Sequence, residues 1–264
     1  MGIWRPSRRA FLAAGAVAGL GACGTRDGGT RDGVLRRRFW SAARGREVAV
    51  AAMVPPGAEL ATVPVCLALH GRGGRAEDMV GLGLPALLAA AGTAPYALVA
   101  VDGNRDTYWI ARDPADDPQA MLLHELPGWL SGMGLTRDGG VPSAAFGVSM
   151  GCFGALVYAR ARGSGVRTVA TLSPALFGSW AQARARNAFR DEAAWLAAEP
   201  LRHLRELPAG LRLGVWCGEQ DPFAPAARTL ARQVRGSTAA FAPGGHNEAY
   251  YRTVLPAIVD FLGS

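Results

Sequence analysis

The chain has no lysine: all 28 residues counted as Lys+Arg are arginine, and they set a formal net charge of +7. Those arginines are scattered singly, and no basic helix interleaved with aromatics occurs, so the basic balance does not point to nucleic acid. Cysteine is scarce, with four in 264 residues, and none stands in C-x-x-C spacing or beside a cluster of histidines. That excludes a zinc site, and no other metal or cofactor motif is present. Cys66, Cys152 and Cys217 each lie in apolar stretches, where a buried free thiol is the default. Long hydrophobic runs are also missing. The longest near the start, Phe11 to Ala22, is far short of the roughly 20 residues that span a bilayer.

What is present at the start is "WRPSRRAFLAAGAVAGLGAC": a charged segment, a short apolar run and a terminal small-residue stretch. This reads as an export signal over residues 1–22. Arg8-Arg9 resembles the twin-arginine address, and "LGAC" resembles a lipobox that would make Cys23 the lipidated first residue of the mature protein; cleavage after a small residue without lipidation is the alternative. Membrane attachment would then come from the anchor at Cys23. Removing residues 1–22 lowers the formal charge from +7 to +4. Residues 23–45, glycine-rich with a repeated T-R-D-G, are expected to form a flexible tether, with one folded domain over 46–264.

Half of the residues are hydrophobic, enough for a sizeable core. Beyond the tether, apolar runs of strand length ("EVAVAAMV", "VPVCLALH", "YALVAVDG", "SAAFGVS", "TVATLSP", "LRLGVWCGEQ", "TAAFAPGG") alternate with stretches of helical period such as "EDMVGLGLPALLAAAG" and "EAYYRTVLPAIVDFLG". Continuous apolar strands alternating with helices imply an α/β fold, a mostly parallel sheet with helices on both faces. In such folds the chemistry gathers at the carboxyl ends of the strands. His70, Asp102, Ser149, Asp221 and His246 all fall there.

"FGVSMGCFGAL" places Ser149 in a G-x-S-x-G frame between strand and helix. A serine hydroxyl needs an imidazole to accept its proton and a carboxylate to orient that imidazole. Small residues at 147 and 151 would let the chain turn sharply and expose the hydroxyl. Of four histidines, His246 follows two glycines just after a strand and is the expected base; His124 and His203 sit in helical segments. Asp221, before Pro222, fits the orienting acid, and Glu219 two residues earlier is the alternative. Oxyanion donors are expected from the backbone N–H groups of Met150 and, in the "HGRGG" turn, Arg72.

Taken together, "LHGRGG", "VDGNRDTYW", "HELPGWL", "FGVSMGCFGAL", "CGEQDPF" and "GGHNEAYYRTVLPAIVDFL" resemble the putative-esterase branch of the α/β-hydrolases, over about residues 45–262. That branch includes esterase D, the S-formylglutathione hydrolases and the actinobacterial mycolyltransferases. The resemblance implies an α/β-hydrolase fold with Ser149 as nucleophile, His246 as base, Asp221 as acid and Met150 with Arg72 as oxyanion donors. It departs from the mycolyltransferases at His70, where they carry an acid, and nothing marks a glutathione site. A small cap insertion is expected between "TVATLSP" and "LRLGVWCG", where Trp180, Phe189 and Trp195 either roof the pocket or pack as ordinary helix. His70, Trp109 and Trp180 are the expected substrate-binding residues, with core packing as the alternative for the tryptophans. The implied activity is exported serine carboxylesterase, acting on a small-molecule or lipid ester without a cofactor. Acyl transfer to a sugar or lipid hydroxyl and non-catalytic surface binding are the rival readings.

Overall fold

The strand-length apolar runs form strands because β-branched and small apolar side chains suit a pleated surface buried on both faces. In the computed structural model, which describes residues 28–31 and 33–264, nine strands form one sheet: β1 (Gly28–Arg31), β2 (Val34–Ser41), β3 (Arg46–Met53), β4 (Val65–Leu69), β5 (Ala97–Val101), β6 (Ala144–Val148), β7 (Thr168–Leu172), β8 (Arg212–Gly218) and β9 (Thr238–Ala242). Their order is β1-β2-β3-β5-β4-β6-β7-β8-β9. From β5 to β9 neighbours are parallel, whereas β1 to β3 pair antiparallel and β3 joins β5 antiparallel.

The period of two along each central strand divides the core. Val65, Leu67 and Leu69 of β4 face one layer, and Cys66 and Ala68 face the other. The first layer is closed by α3 (Pro118–Ala120), α4 (Leu126–Gly132), α5 (Met150–Arg162) and α8 (Ala224–Gln233), through residues such as Leu126, Phe153 and Leu230. The second is closed by α1 (Ala76–Gly81), α2 (Leu84–Ala90) and α9 (Glu248–Gly263), through Met79, Leu88, Leu255 and Ile258. Helices on both faces of a mostly parallel sheet are the expected architecture. The stretch read as one helix over 77–92 is two, because Gly83 takes φ 87° and breaks the run.

The expected tether is corrected where it is described. Residues 34–41 form β2, which pairs with β3 over its whole length. Among the arginines, Leu35 and Phe39 recur at spacing suited to one sheet face, and Phe39 stacks on Trp129 with centroids 5.1 Å apart. On the opposite face Arg36 pairs with Glu77. An arginine-rich string is therefore compatible with a strand when alternate positions are buried. The export signal, Cys23 and the first part of the tether lie outside the described residues.

Between β7 and β8 the chain forms α6 (Trp180–Arg184), α7 (Glu192–Ala198) and short 3-10 turns. This insertion is anchored by Glu199. Its fully buried carboxylate accepts from Trp195 Nε1–H at 2.9 Å, Phe177 N–H at 3.2 Å and Leu201 N–H at 3.3 Å. Burial pushes the carboxyl up to about 7 against the pull of those donors.

Candidate active site

Ser149 stands between β6 and α5 with φ 54° and ψ −114°, a backbone conformation that side chains other than glycine rarely adopt. Its N–H donates to Leu172 O at 2.8 Å, and its carbonyl accepts from Cys152 N–H and Ala175 N–H at 3.1 and 3.2 Å. These bonds offset the strain of the turn. The flanking glycines are required by contact: a β-carbon on Gly147 would fall 2.3 Å from Gly151 backbone. One on Gly151 would fall 1.9 Å from Leu69 O. No other residue fits such gaps, so the frame around Ser149 is a built elbow.

His246 Nε2 lies 2.8 Å from Ser149 Oγ, and His246 Nδ1 lies 2.8 Å from Asp221 Oδ2. With Asp221 ionised, Nδ1–H donates to it, which leaves Nε2 to accept the Ser149 hydroxyl proton. Burial opposes charge on Asp221, yet His246, the nearby Ser173 hydroxyl and the Phe223 N–H together hold its carboxyl below the usual range. Ser173 is itself at φ 54°, buried beside that carboxylate outside ideal hydrogen-bond geometry. Glu219, the alternative acid, is exposed, and its N–H donates to Ala242 O at 2.9 Å.

The acid and base come from loops after β8 and β9 that are stitched to each other. Gln220 N–H donates to Gly244 O at 3.0 Å, and Gly244 N–H donates to Gln220 Oε1 at 2.6 Å. The loops approach so closely that a β-carbon on Gly218 would sit 2.2 Å from Gly244 O. The imidazole is held between Phe223 and Tyr251, with ring centroids 5.2 and 5.8 Å away.

The turn after β4 runs alongside the nucleophile: a β-carbon on Gly71 would lie 3.4 Å from Ser149 Cβ. Gly73 N–H bonds Arg105 O at 2.6 Å and Gly74 N–H bonds Gly71 O at 3.1 Å, while among the described residues the N–H groups of Arg72 and Met150 make no backbone hydrogen bond. Both are free to receive an oxyanion, and Met150 begins α5, whose N-terminus favours negative charge there. The Arg72 side chain points elsewhere, to Asp106 at 2.9 Å.

His70 borders the cavity, but both ring nitrogens are committed. Nδ1–H donates to Gly71 O at 2.7 Å, and Nε2 accepts from Gly103 N–H at 2.8 Å. It is buried, which lowers its pKa and keeps it neutral. Its ring nitrogens therefore tie the turn carrying Arg72 to the loop after β5, at the border of the cavity where a substrate contact is expected. For Trp109 the core-packing alternative holds: fully buried, it fills the space above Gly103 and Gly154 and donates from Nε1–H to His70 O at 3.2 Å. Trp180 turns toward Trp195, with centroids 6.2 Å apart, and does not border the cavity. Tyr108 does border it, packed on Phe153, Phe177 and Phe189.

The cavity in front of Ser149 is about 880 Å³, and from the insertion between β7 and β8 it receives Arg186. That insertion walls the cleft and does not roof it with its tryptophans. Arg186 and Ser173 were missed by sequence reading, since neither lies in a motif and only the folded chain brings them to the strand ends. The three thiols at 66, 152 and 217 are free, and burial raises all of them, Cys217 to about 12. None competes with Ser149 as a nucleophile.

Residues 41–262 match the family model described as putative esterase. No curated protein matches the chain. Among solved structures, a ferulic acid esterase is 16% identical with a TM-score of 0.70, covering 87% of this chain and 96% of that one. An S-formylglutathione hydrolase from Agrobacterium tumefaciens is 16% identical with a TM-score of 0.68, covering 90% and 97%. MPT51 of Mycobacterium tuberculosis is 19% identical with a TM-score of 0.66, covering 86% and 97%. At these identities the likeness is one of fold, and the fold is that of the α/β-hydrolases.

Proposed function

The chain belongs to the putative esterase family and acts on ester bonds, and from that premise we propose an exported serine carboxylesterase working through an acyl-enzyme on Ser149. The observation that carries this reading is the unbroken chain Asp221–His246–Ser149, with both contacts at 2.8 Å.

In the first half-reaction Ser149 Oγ attacks the ester carbonyl while its proton passes to His246 Nε2. The oxyanion that forms is met by the N–H groups of Met150 and Arg72, already in place before the charge develops. Asp221 stabilises the imidazolium and fixes its orientation without taking the proton. The tetrahedral intermediate collapses, the C–O bond to the alcohol breaks, and Nε2–H protonates the departing oxygen. In the second half a water gives its proton to Nε2 and attacks the acyl carbonyl; the proton then returns to Ser149 Oγ as the acid leaves. Ser149→Ala is expected to abolish both turnover of a short-chain nitrophenyl ester and labelling by a fluorophosphonate probe. Retention of both would overturn the assignment of the nucleophile.

Export rests on Arg8-Arg9 and the apolar run that follows, and attachment rests on Cys23 after "LGA". Cys23→Ala should move the protein from the membrane fraction to the soluble fraction and end its incorporation of labelled fatty acid. Unchanged fractionation would remove the anchor from the proposal.

A further inference from the structure

The cleft beside Ser149 has an uneven balance of charge. Its acids are already engaged: Asp106 pairs with Arg72 at 2.9 Å, Glu248 pairs with Arg252 at 2.5 Å, and Asp78 accepts from Arg75 N–H at 2.8 Å. Two cations bordering the same cavity are not. Among the described residues, no carboxylate lies within salt-bridge distance of Arg186 or Arg105. Arg105 is exposed, whereas Arg186 is half-buried, and a half-buried guanidinium without a counter-ion carries a solvation cost that an anionic ligand would offset.

Arg186 is the better placed of the two. Its guanidinium stacks over Phe223 at 5.1 Å and over Phe177 at 6.0 Å, and Phe223 in turn packs against His246 at 5.2 Å. The cation is thus layered onto the ring that orders the catalytic base. The backbone beneath it is fixed. Arg186 N–H bonds Ala183 O at 3.0 Å, and Asn187, at φ 52°, is clamped by Arg112 through its carbonyl at 2.8 Å and its side-chain oxygen at 3.3 Å. A guanidinium seated over aromatic rings loses less freedom on binding than one free in solvent, and its planar fork of donors stays available to an anion.

We propose that Arg186, with Arg105 as a second cation, selects ester substrates that carry an anionic group, a carboxylate or a phosphate, elsewhere in the molecule. The proposal rests on Ser149 being the site of hydrolysis and adds the substrate class. Carboxylate and phosphate both match the planar fork through paired, charge-assisted hydrogen bonds. The neighbouring cavity of about 590 Å³, which shares Arg186, Pro222 and Phe223 with the first, gives the anion-bearing portion room beyond the scissile bond.

The test compares two esters that differ only in charge: the 4-nitrophenyl monoester of adipic acid, with a free carboxylate, and the same ester capped with methyl. The wild type should favour the anionic ester in kcat/KM. Arg186→Gln should cut the ratio of the two rates about tenfold, Arg186→Lys, which keeps the charge but not the fork, should retain only part of it, and about 0.5 M salt should compress it in the wild type. No preference in the wild type, or an equal loss on both esters in Arg186→Gln, would overturn the proposal and leave the esterase reading intact. A purely structural role for the stack predicts that equal loss. Binding separates the two readings further: calorimetry on Ser149→Ala with monomethyl adipate and dimethyl adipate reads the anion preference without turnover. A preference there that adding Arg186→Gln removes would sustain the anion site even if the wild type hydrolysed neither ester and the hydrolytic reading fell.

Discussion

Gly151 passes so close to Leu69 that a β-carbon would stand 1.9 Å from the Leu69 carbonyl oxygen. That contact ties the first turn of α5 to the end of β4, and so sets Ser149 next to the turn that carries Arg72. The obstacle is backbone, which cannot swing aside as a side chain can.

Gly151→Ala is therefore expected to destabilise the fold by about 3 kcal/mol or to displace Ser149 and end turnover. Gly128, in α4, meets nothing within 4 Å, and Gly128→Ala should be neutral or stabilising by about 0.5–1 kcal/mol. Urea unfolding of the two variants checks the contrast. Equal stability would mean that the elbow relaxes freely.

Asp221→Asn should leave the loop folded but present an amide to His246 Nδ1, so that the imidazole loses its oriented tautomer. A fall in kcat of about 10⁴-fold is the expected scale. Glu219→Gln, at an exposed position on the same turn, should change kcat less than about twofold. Steady-state rates on a nitrophenyl ester decide between them. The reverse order would move the acid role to Glu219.

Glu199 introduces a dependence of stability on pH. Burial raises its carboxyl to about 7, against about 4.3 in an unfolded chain. Between those values the native protein holds a proton that the unfolded chain releases. The stabilisation is complete below the unfolded value and is lost as pH rises through the folded one. Relative to Glu199→Gln, which carries no charge, the wild type should lose melting temperature from pH 5 to pH 8. Parallel melting curves across that range would show that Glu199 titrates normally.

Arg44 is buried and serves several partners at once: an ion pair to Asp116 and hydrogen bonds to the carbonyls of Asp102 and Gly103, each at 3.3 Å. Arg44→Ala leaves those acceptors inside without a donor and should cost about 3 kcal/mol, a drop of roughly 6 °C or more in Tm. Arg44→Lys should recover little, because one ammonium cannot reproduce the fork. A shift below about 1 °C in the alanine variant would mean that water replaces the guanidinium without penalty.

The parts of this protein legible in sequence were those written in short-range pattern. Strand and helix alternation follows from local hydrophobic period, and the G-x-S-x-G frame follows from steric demand between residues two apart. His246 was legible because two glycines isolate it at a strand end. Residues 34–41 were misread because the arginines between Leu35 and Phe39 masked a period of two, and the pairing with β3 that reveals it is a contact between strands.

Sequence by itself determined the order of the elements, the class of sheet and which residue types arrive at its carboxyl edge, since each depends on neighbours along the chain. Tertiary structure alone decided that Asp221 and not Glu219 meets His246, that Trp109 and Trp180 pack away from the cleft, and that Arg186 enters it. Those outcomes depend on the direction in which side chains leave their turns and on packing between segments far apart in sequence, which no local pattern encodes.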